Sequence, residues 1–239
     1  MRTALVVPAA GRGERLGAGR PKALVELDGR PLLVHALERA VASGVIDVIA
    51  VACPPGAVEH VRILLEGALP VEPLLVEGAG DRQASVWAAL SALPADADVV
   101  LVHDAARCLT PPAVFADVVR AVRAGAAGVV PVLPVTDTVK RVRGGRVVET
   151  VDRAELQAVQ TPQGFRTAVL RAVHDAARGA PATDDAGLLE AAGHRVHVVP
   201  GAEEAFKVTR PLDLVLARAL LAAGNADPPV PEGGTDRER

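Results

Sequence analysis

The segment Asp98-Val99-Val100-Leu101-Val102-His103 is apolar throughout, between two polar ends. A strand with one face in water alternates polar and apolar residues; this one does not, so both its faces must be covered. That requires a layered fold with a central sheet. The flanking segments say which kind. Strand-like runs at 4–8, 48–52, 71–76 and 128–133 are separated by stretches with apolar residues at helical spacing. These helical stretches are 32–43 (stopped by Gly44), one ending at Glu66, 81–93 with Asp81 as its cap, and 112–124. Such alternation predicts an α/β domain, a mostly parallel sheet flanked by helices.

The alternation breaks at residues 136–153, TDTVKRVRGGRVVETVDR. Polar and apolar residues alternate there about Gly144-Gly145, the pattern of a β-hairpin with a tight turn. The reading puts charges on one face and Val139, Val142, Val147 and Val151 on the other. A hairpin of this kind is rarely stable alone, so it should lie against something, such as a second subunit. A helix over 167–178 follows, then one from Thr183 or Asp184 to 192 stopped by Gly193, a strand over 195–199 and a last helix over 211–223. Residues 225–239, NADPPVPEGGTDRER, hold no core former and read as a disordered tail. The expected organisation is one domain, 1–224, with an arm at about 136–153.

A chain of 239 residues suits such a domain. Net charge is −3 and no basic block stands out, which argues against nucleic acid as a main partner. Cys53 and Cys108 stand singly and read as free thiols in a reducing compartment. The N-terminus lacks a signal-peptide pattern, and the longest uncharged apolar run, 124–135, holds two prolines. A membrane span needs ~20 apolar residues. The expectation is a cytoplasmic protein without a membrane anchor.

The first strand runs into PAAGRGERLGAGRPKAL, residues 8–24. A Walker A loop needs Ser or Thr after its Lys, but Ala23 follows Lys22. A dinucleotide fingerprint needs a third Gly, but Leu16 stands there after Gly11 and Gly13. What remains is a loop with free backbone N–H groups and the cations Arg12, Arg15, Arg20 and Lys22. Such loops bind anions, and a triphosphate would neutralise the crowded cations. The alternative is a solvated basic loop.

Other segments supply what a nucleotide site needs. HDAAR, 103–107, ends the buried strand, where α/β sheets place ligands. Asp104 there suits Mg²⁺, which takes one or two carboxylates plus phosphate oxygens, although a helix-capping role fits equally. GAGDRQAS, 78–85, has small residues that let backbone approach a base, and Ser85 adds a hydroxyl. FKVTRP, 206–211, brings Lys207 and Arg210; the hairpin brings Thr138, Lys140 and Arg153. Each has a bland reading as turn or surface charge. His103 is a weak metal or base candidate that more naturally supports its loop.

Together PAAGRGERLGAGRPKAL, GAGDRQASV, VHDAAR, PVTDTVKRV, TVDR, QTPQGF, TDDA and KVTRPLDL resemble, in order, the 2-C-methyl-D-erythritol 4-phosphate cytidylyltransferases of the non-mevalonate isoprenoid pathway. The resemblance covers about residues 3–222. It implies a Rossmann-like nucleotidyltransferase fold with a β-hairpin dimerisation arm. It implies transfer of the cytidylyl group of CTP to the acceptor phosphate, releasing pyrophosphate, with Mg²⁺ as cofactor. Arg15 and Lys22 match the stabilisers of the transition state. Ala9, Ala10, Gly11 and Gly13, with Ala79, Gly80 and Ser85, match the cytidine-holding segments. Asp104 and Arg107 match residues beside metal and acceptor, and Thr138, Thr183 and Lys207 match acceptor-binding positions. Arg153 matches an arm residue that reaches the neighbour's site in a homodimer, where it and Lys207 would grip the acceptor phosphate.

The chain departs from the family pattern at Ala79, Asp81, Ala84 and Cys108. These departures bear on the fine geometry of base recognition and leave the phosphate and metal groups intact. The short polar end is expected of a monofunctional enzyme. Three other readings stay open: a cytidylyltransferase for another polyol phosphate such as ribitol 5-phosphate, a uridylyl- or adenylyltransferase for a sugar phosphate, and a nucleotide-binding module without catalysis.

Overall fold

The structure, a computed structural model, describes residues 1–11, 13, 16, 17, 19–177 and 184–225. Arg15, Thr183 and residues 226–239 of the expected tail lie outside the described residues. The chain opens with β1 (Arg2–Pro8), a 3₁₀ turn (Lys22–Leu24) and a small ribbon of β2 (Glu26–Leu27) and β3 (Arg30–Pro31). Then come α1 (Leu32–Ala42), β4 (Val48–Cys53), α2 (Val58–Leu65), β5 (Leu74–Glu77), α3 (Arg82–Ala92) and β6 (Ala97–Val102). The second half holds α4 (Pro112–Arg123), β7 (Gly128–Pro134), β8 (Val139–Arg143), β9 (Arg146–Val151), β10 (Gln157–Val159) and β11 (Gln163–Arg166). It closes with α5 (Thr167–Ala176), α6 (Asp185–Ala191), β12 (Val196–Pro200) and α7 (Pro211–Asn225). Asn225, read as the start of the tail, is the last residue of that helix.

The main sheet runs β10-β7-β11-β6-β1-β4-β5, with β12 pairing β7. The pairs β1–β4, β1–β6, β4–β5 and β7–β12 are parallel. Both central strands are buried on both faces, as the absence of alternation demanded. Leu5 and Val7 of β1, with Val99 and Leu101 of β6, pack into one core with side chains of α1, α2 and α4. Ala4 and Val6, with Val100 and Val102, pack into the other with α3, α5 and α6. A smaller cluster joins Leu27, Leu32 and Ala36 to Val208 and Ala217, seating α7.

The sequence reading missed β10 and β11, which run antiparallel to β7, with β11 inserted between β6 and β7. The TPQGF stretch has neither strand periodicity nor a β-branched run. It is a strand because its neighbours pair with it, a tertiary cause.

The hairpin forms as β8 and β9, with Gly144 and Gly145 at φ +53° and +75°, the left-handed pair a tight turn requires. Its faces differ from the expectation. Val139 pairs with Val151 and Val142 with Val147, across a register shift. Residues 139 and 142 are three apart in a strand of period two, so the two valine pairs point to opposite faces. Val142, Val147 and Val148 are more than half exposed.

Candidate active site at the switch between β1 and β6

From β1 the chain moves outward through β4 and β5, then returns to place β6 on the other side of β1. The carboxyl ends of β1 and β6 therefore diverge, and ligands of open α/β sheets bind at such a switch. A cavity of about 760 Å³ lies there. It is lined by Pro8 to Gly11, Gly13 and Lys22 from the first loop, Gly78 to Arg82 and Ser85 from the second, Asp104 to Ala106 beyond β6, and Lys207 with Thr209.

The first loop is shaped by its backbone. Lys22 N–H donates to the Gly11 carbonyl at 3.0 Å, folding the loop back on itself. Gly13 sits at φ +71°, and a Cβ there would meet Lys22 Cβ at 2.8 Å. The second loop is pinned against it. Gly78 N–H donates to the Cys53 carbonyl at 2.8 Å. A Cβ on Gly78 would come 2.4 Å from Ala10 Cβ and 2.8 Å from the Cys53 carbonyl oxygen. The buried Ser85 hydroxyl accepts from Ala79 N–H at 3.0 Å and donates to the Asp81 carbonyl at 2.8 Å, so it holds the loop. Asp81 caps α3, accepting from Ala84 N–H at 2.7 Å. The cap read from the sequence is present.

Asp104 is the charged centre of the wall. Lys207 Nζ lies 2.7 Å from its Oδ2, and Arg82 Nε donates to its Oδ1 at 3.4 Å. Burial alone would raise this carboxyl; Arg82 first, then Lys207, outweigh that and hold it well below the usual carboxylate range. Lys207, far from Asp104 along the chain, is fastened there by its surroundings. Val208 N–H donates to the Ala106 carbonyl at 2.8 Å, and Arg107 Nη1 to the Ala205 carbonyl at 2.7 Å. Arg107 also donates to the Val159 carbonyl, so its guanidinium ties three segments together and is not among the lining groups.

His103 is fully buried against Phe115, with Nδ1 2.9 Å from the Thr161 hydroxyl. Burial pushes it down to about 4, so it is neutral and supports the loop. The same hydroxyl accepts from Asp104 N–H at 3.0 Å, giving the TPQGF stretch its work: it locks the backbone that carries Asp104.

Ala9, Ala10, Gly11, Gly13, Lys22, Ala79, Gly80, Ser85, Asp104 and Lys207 thus meet around one cavity. Thr138 and Arg153 do not line it. Both are exposed on the hairpin, where Arg153 donates to the Thr136 carbonyl. The reading missed Arg82, which bridges Asp104 to the buried Asp185. Its signal was present in GAGDRQAS and TDDA, but no sequence rule says that these two meet.

Of the two carboxylates that line the cavity among the described residues, Asp81 caps α3, which leaves Asp104, a donor set that suits Mg²⁺ when phosphate oxygens complete it. Among the described residues there is no cluster of three metal-ligating side chains, so a cation would be held chiefly by the bound ligand. Among them, too, no helix is long and apolar enough to cross a membrane.

The family model of the 2-C-methyl-D-erythritol 4-phosphate cytidylyltransferases matches residues 3–223. A relative of that name from Frankia casuarinae is 54% identical over 222 residues, covering 92% of this chain and 82% of its own. One from Streptomyces avermitilis is 51% identical, covering 92% of both. The crystal structure of the Thermus thermophilus protein of that name superposes with a TM-score of 0.77 at 39% identity, covering 93% of this chain and all of the other.

Proposed function

Because the chain belongs to the 2-C-methyl-D-erythritol 4-phosphate cytidylyltransferase family, we propose that it transfers the cytidylyl group of CTP to the phosphate of 2-C-methyl-D-erythritol 4-phosphate and releases pyrophosphate. The observation that carries this reading is Lys207 held 2.7 Å from Asp104 on the wall of the cavity that the glycine-rich loop frames. That arrangement suits polyphosphate chemistry: backbone amides and lysines for anions, one carboxylate for a cation.

The acceptor phosphate is already anionic at neutral pH, so its oxygen needs no general base. The difficulty is bringing one anion against another in line. Catalysis is then positioning plus charge stabilisation. Lys22, with Arg15 as the family resemblance assigns it, stabilises the charge that grows on the α-phosphate and the leaving pyrophosphate. The small residues of the two loops, Ala9 to Gly11 and Ala79-Gly80, take the cytidine, and the Ser85 hydroxyl keeps the second loop in place. Lys207 takes the acceptor phosphate, with Thr138 and Thr183 as further acceptor contacts. Asp104 would hold Mg²⁺, which would supply positive charge to the phosphates when bound. The exposed arm brings Arg153, a bidentate phosphate grip, to the site of a second copy in a homodimer. Residues 1–224 act as one unit, in the cytoplasm.

The test is pyrophosphate release from CTP and Mg²⁺ with and without the acceptor. Release that depends on 2-C-methyl-D-erythritol 4-phosphate supports the reading. Faster release with ribitol 5-phosphate moves the acceptor, and silence with both at full CTP binding sinks the catalytic reading.

A further inference from the structure

A chain of charged groups runs inward from the cavity wall, and the transfer as derived does not use its inner members, Arg82, Asp185 and His174. Lys207 meets Asp104, Asp104 meets Arg82, Arg82 meets Asp185, and Asp185 meets His174. The contacts are unequal. Arg82 Nη1 donates to Asp185 Oδ2 at 2.7 Å, whereas its Nε reaches Asp104 Oδ1 only at 3.4 Å. His174 Nε2 lies 3.0 Å from the other Asp185 oxygen, Oδ1, and both side chains are 1% exposed. Each Asp185 oxygen thus has its own partner. His174 in turn stacks on Trp87, with ring centroids 5.9 Å apart and planes at 16°.

The two aspartates of TDDA divide their labour. Asp184 caps α6, accepting from Gly187 N–H at 2.9 Å, and takes Gln163 Nε2 at 2.7 Å. Asp185 points inward and makes no cap. Arg82 is the first residue of α3, where a helix dipole disfavours a cation, so it needs carboxylates to stay. Of the two available, the buried one has the closer hold. If Asp185 released Arg82, the guanidinium would close on Asp104 or turn to a phosphate in the cavity, because a charged fork left with one long contact seeks a bidentate anion.

We infer that Asp185 is a positioning residue for the transfer: backed by His174, it limits Arg82 to one 3.4 Å contact with Asp104, so that Asp104 Oδ1 stays more open to the cavity than a closed Arg82–Asp104 pair would leave it. This rests on the function proposed above for that cavity.

The test uses the full chain with Asp185→Asn and His174→Leu, each also on an Arg82→Lys background. kcat and acceptor KM are measured apart, CTP affinity is read by calorimetry, and exchange of the Arg82 Nη1 protons is followed by NMR. Asp185→Asn should lower kcat roughly tenfold or more while CTP affinity stays within about threefold. On the Arg82→Lys background the same change should have less than about a threefold effect, because the residue it acts through has changed. His174→Leu should lower kcat in the same direction by less. The Arg82 Nη1 protons, which Asp185 holds, should be slow to exchange in the unsubstituted protein and fast in Asp185→Asn. Unchanged kcat in folded Asp185→Asn, or equal losses on both backgrounds, overturns the inference and leaves an ion pair that merely joins α3 to α6. If Asp185→Asn does not fold, His174→Leu decides: wild-type kcat overturns the inference, and a lowered kcat at unchanged CTP affinity supports it. A parent chain that releases no pyrophosphate is a failure of the proposed function instead. In that event the Arg82 Nη1 protons still decide: slow exchange that Asp185→Asn does not alter overturns the positioning.

Discussion

The cavity wall and the hairpin arm are built from similar materials, lysines, arginines and valines, and the chain uses them in opposite ways. At the wall the carboxylate is little exposed and closely partnered: Asp104 lies between Lys207 and Arg82, and the loop beneath it is held by Thr161. On the arm the ion pair Arg141–Glu149 has both side chains more than half exposed, and Val142 and Val147 stand in water beside it. Exposed pairs of that sort contribute little, about 0–1 kcal/mol. The wall is therefore a structure completed within one chain, whereas the arm leaves apolar and cationic surface exposed. The contrast teaches that the same residue types define a site only where packing denies them alternatives.

The largest expected effect tests whether the wall is catalytic. Lys207→Ala should lower kcat/KM for the acceptor roughly a hundredfold or more, as loss of one charge-stabilising donor does. A steady-state loss below about tenfold would break the comparison on its first side. Gly78→Ala comes next. Its methyl would meet Ala10 and the Cys53 carbonyl, neither the far end of a flexible side chain. Overpacking of this kind costs about 1–3 kcal/mol. Urea unfolding and CTP calorimetry should both register it; an unaltered CTP affinity would show that the two loops are not coupled.

The arm is tested by Val142→Lys with Val147→Lys. Sedimentation should find a dimer before and a monomer after, with kcat lowered. Unfolding of the domain should move by no more than ~0.5 kcal/mol, because these side chains are exposed. A parent protein that is already monomeric would break the second side of the comparison.

The smallest effect concerns the thiols behind the wall. Cys53 and Cys108 are both buried and unpaired. Burial, the largest cause, pushes the first up to about 11 and the second to about 12. At pH ~8, below the ordinary thiol range, neither should react with iodoacetamide in the folded protein, and both should react on unfolding. A folded-state pKa raised above the unfolded value adds stability at low pH that is lost as pH rises through that raised value. For Cys53 the loss begins near 9 and continues to about 11. Unfolding at pH ~8 and pH ~10 checks the sign, and rapid labelling at the lower pH would show that the wall opens.

The main-sheet strands and the helices of the first half were legible because each is a local pattern, whereas the short β2–β3 ribbon was not read. An apolar run with no alternation means two covered faces, and Asp81 ahead of RQAS means a cap. The glycine-rich loop, HDAAR and the late lysine were legible as site segments, because strand ends are where such sheets bind ligands. The hairpin turn was legible from Gly144-Gly145, but the reading set its valines on one face although residues 139 and 142 differ in parity. The β11 strand and the role of QTPQGF were not legible, since their conformation is imposed by β6 and β7 on a segment with no pattern of its own.

By itself, then, the sequence determined which segments are strands buried on both faces, where the loops that frame the cavity lie, and which family the motifs resemble. The tertiary structure alone decided the partners: that Arg82 serves both Asp104 and Asp185, that Arg107 fastens backbone and does not line the cavity, and that Ser85 holds its own loop. The physical reason is range. Helix and strand periods act over a few residues, whereas a buried charge takes whichever partner the packing brings within about 3 Å, whatever the distance along the chain.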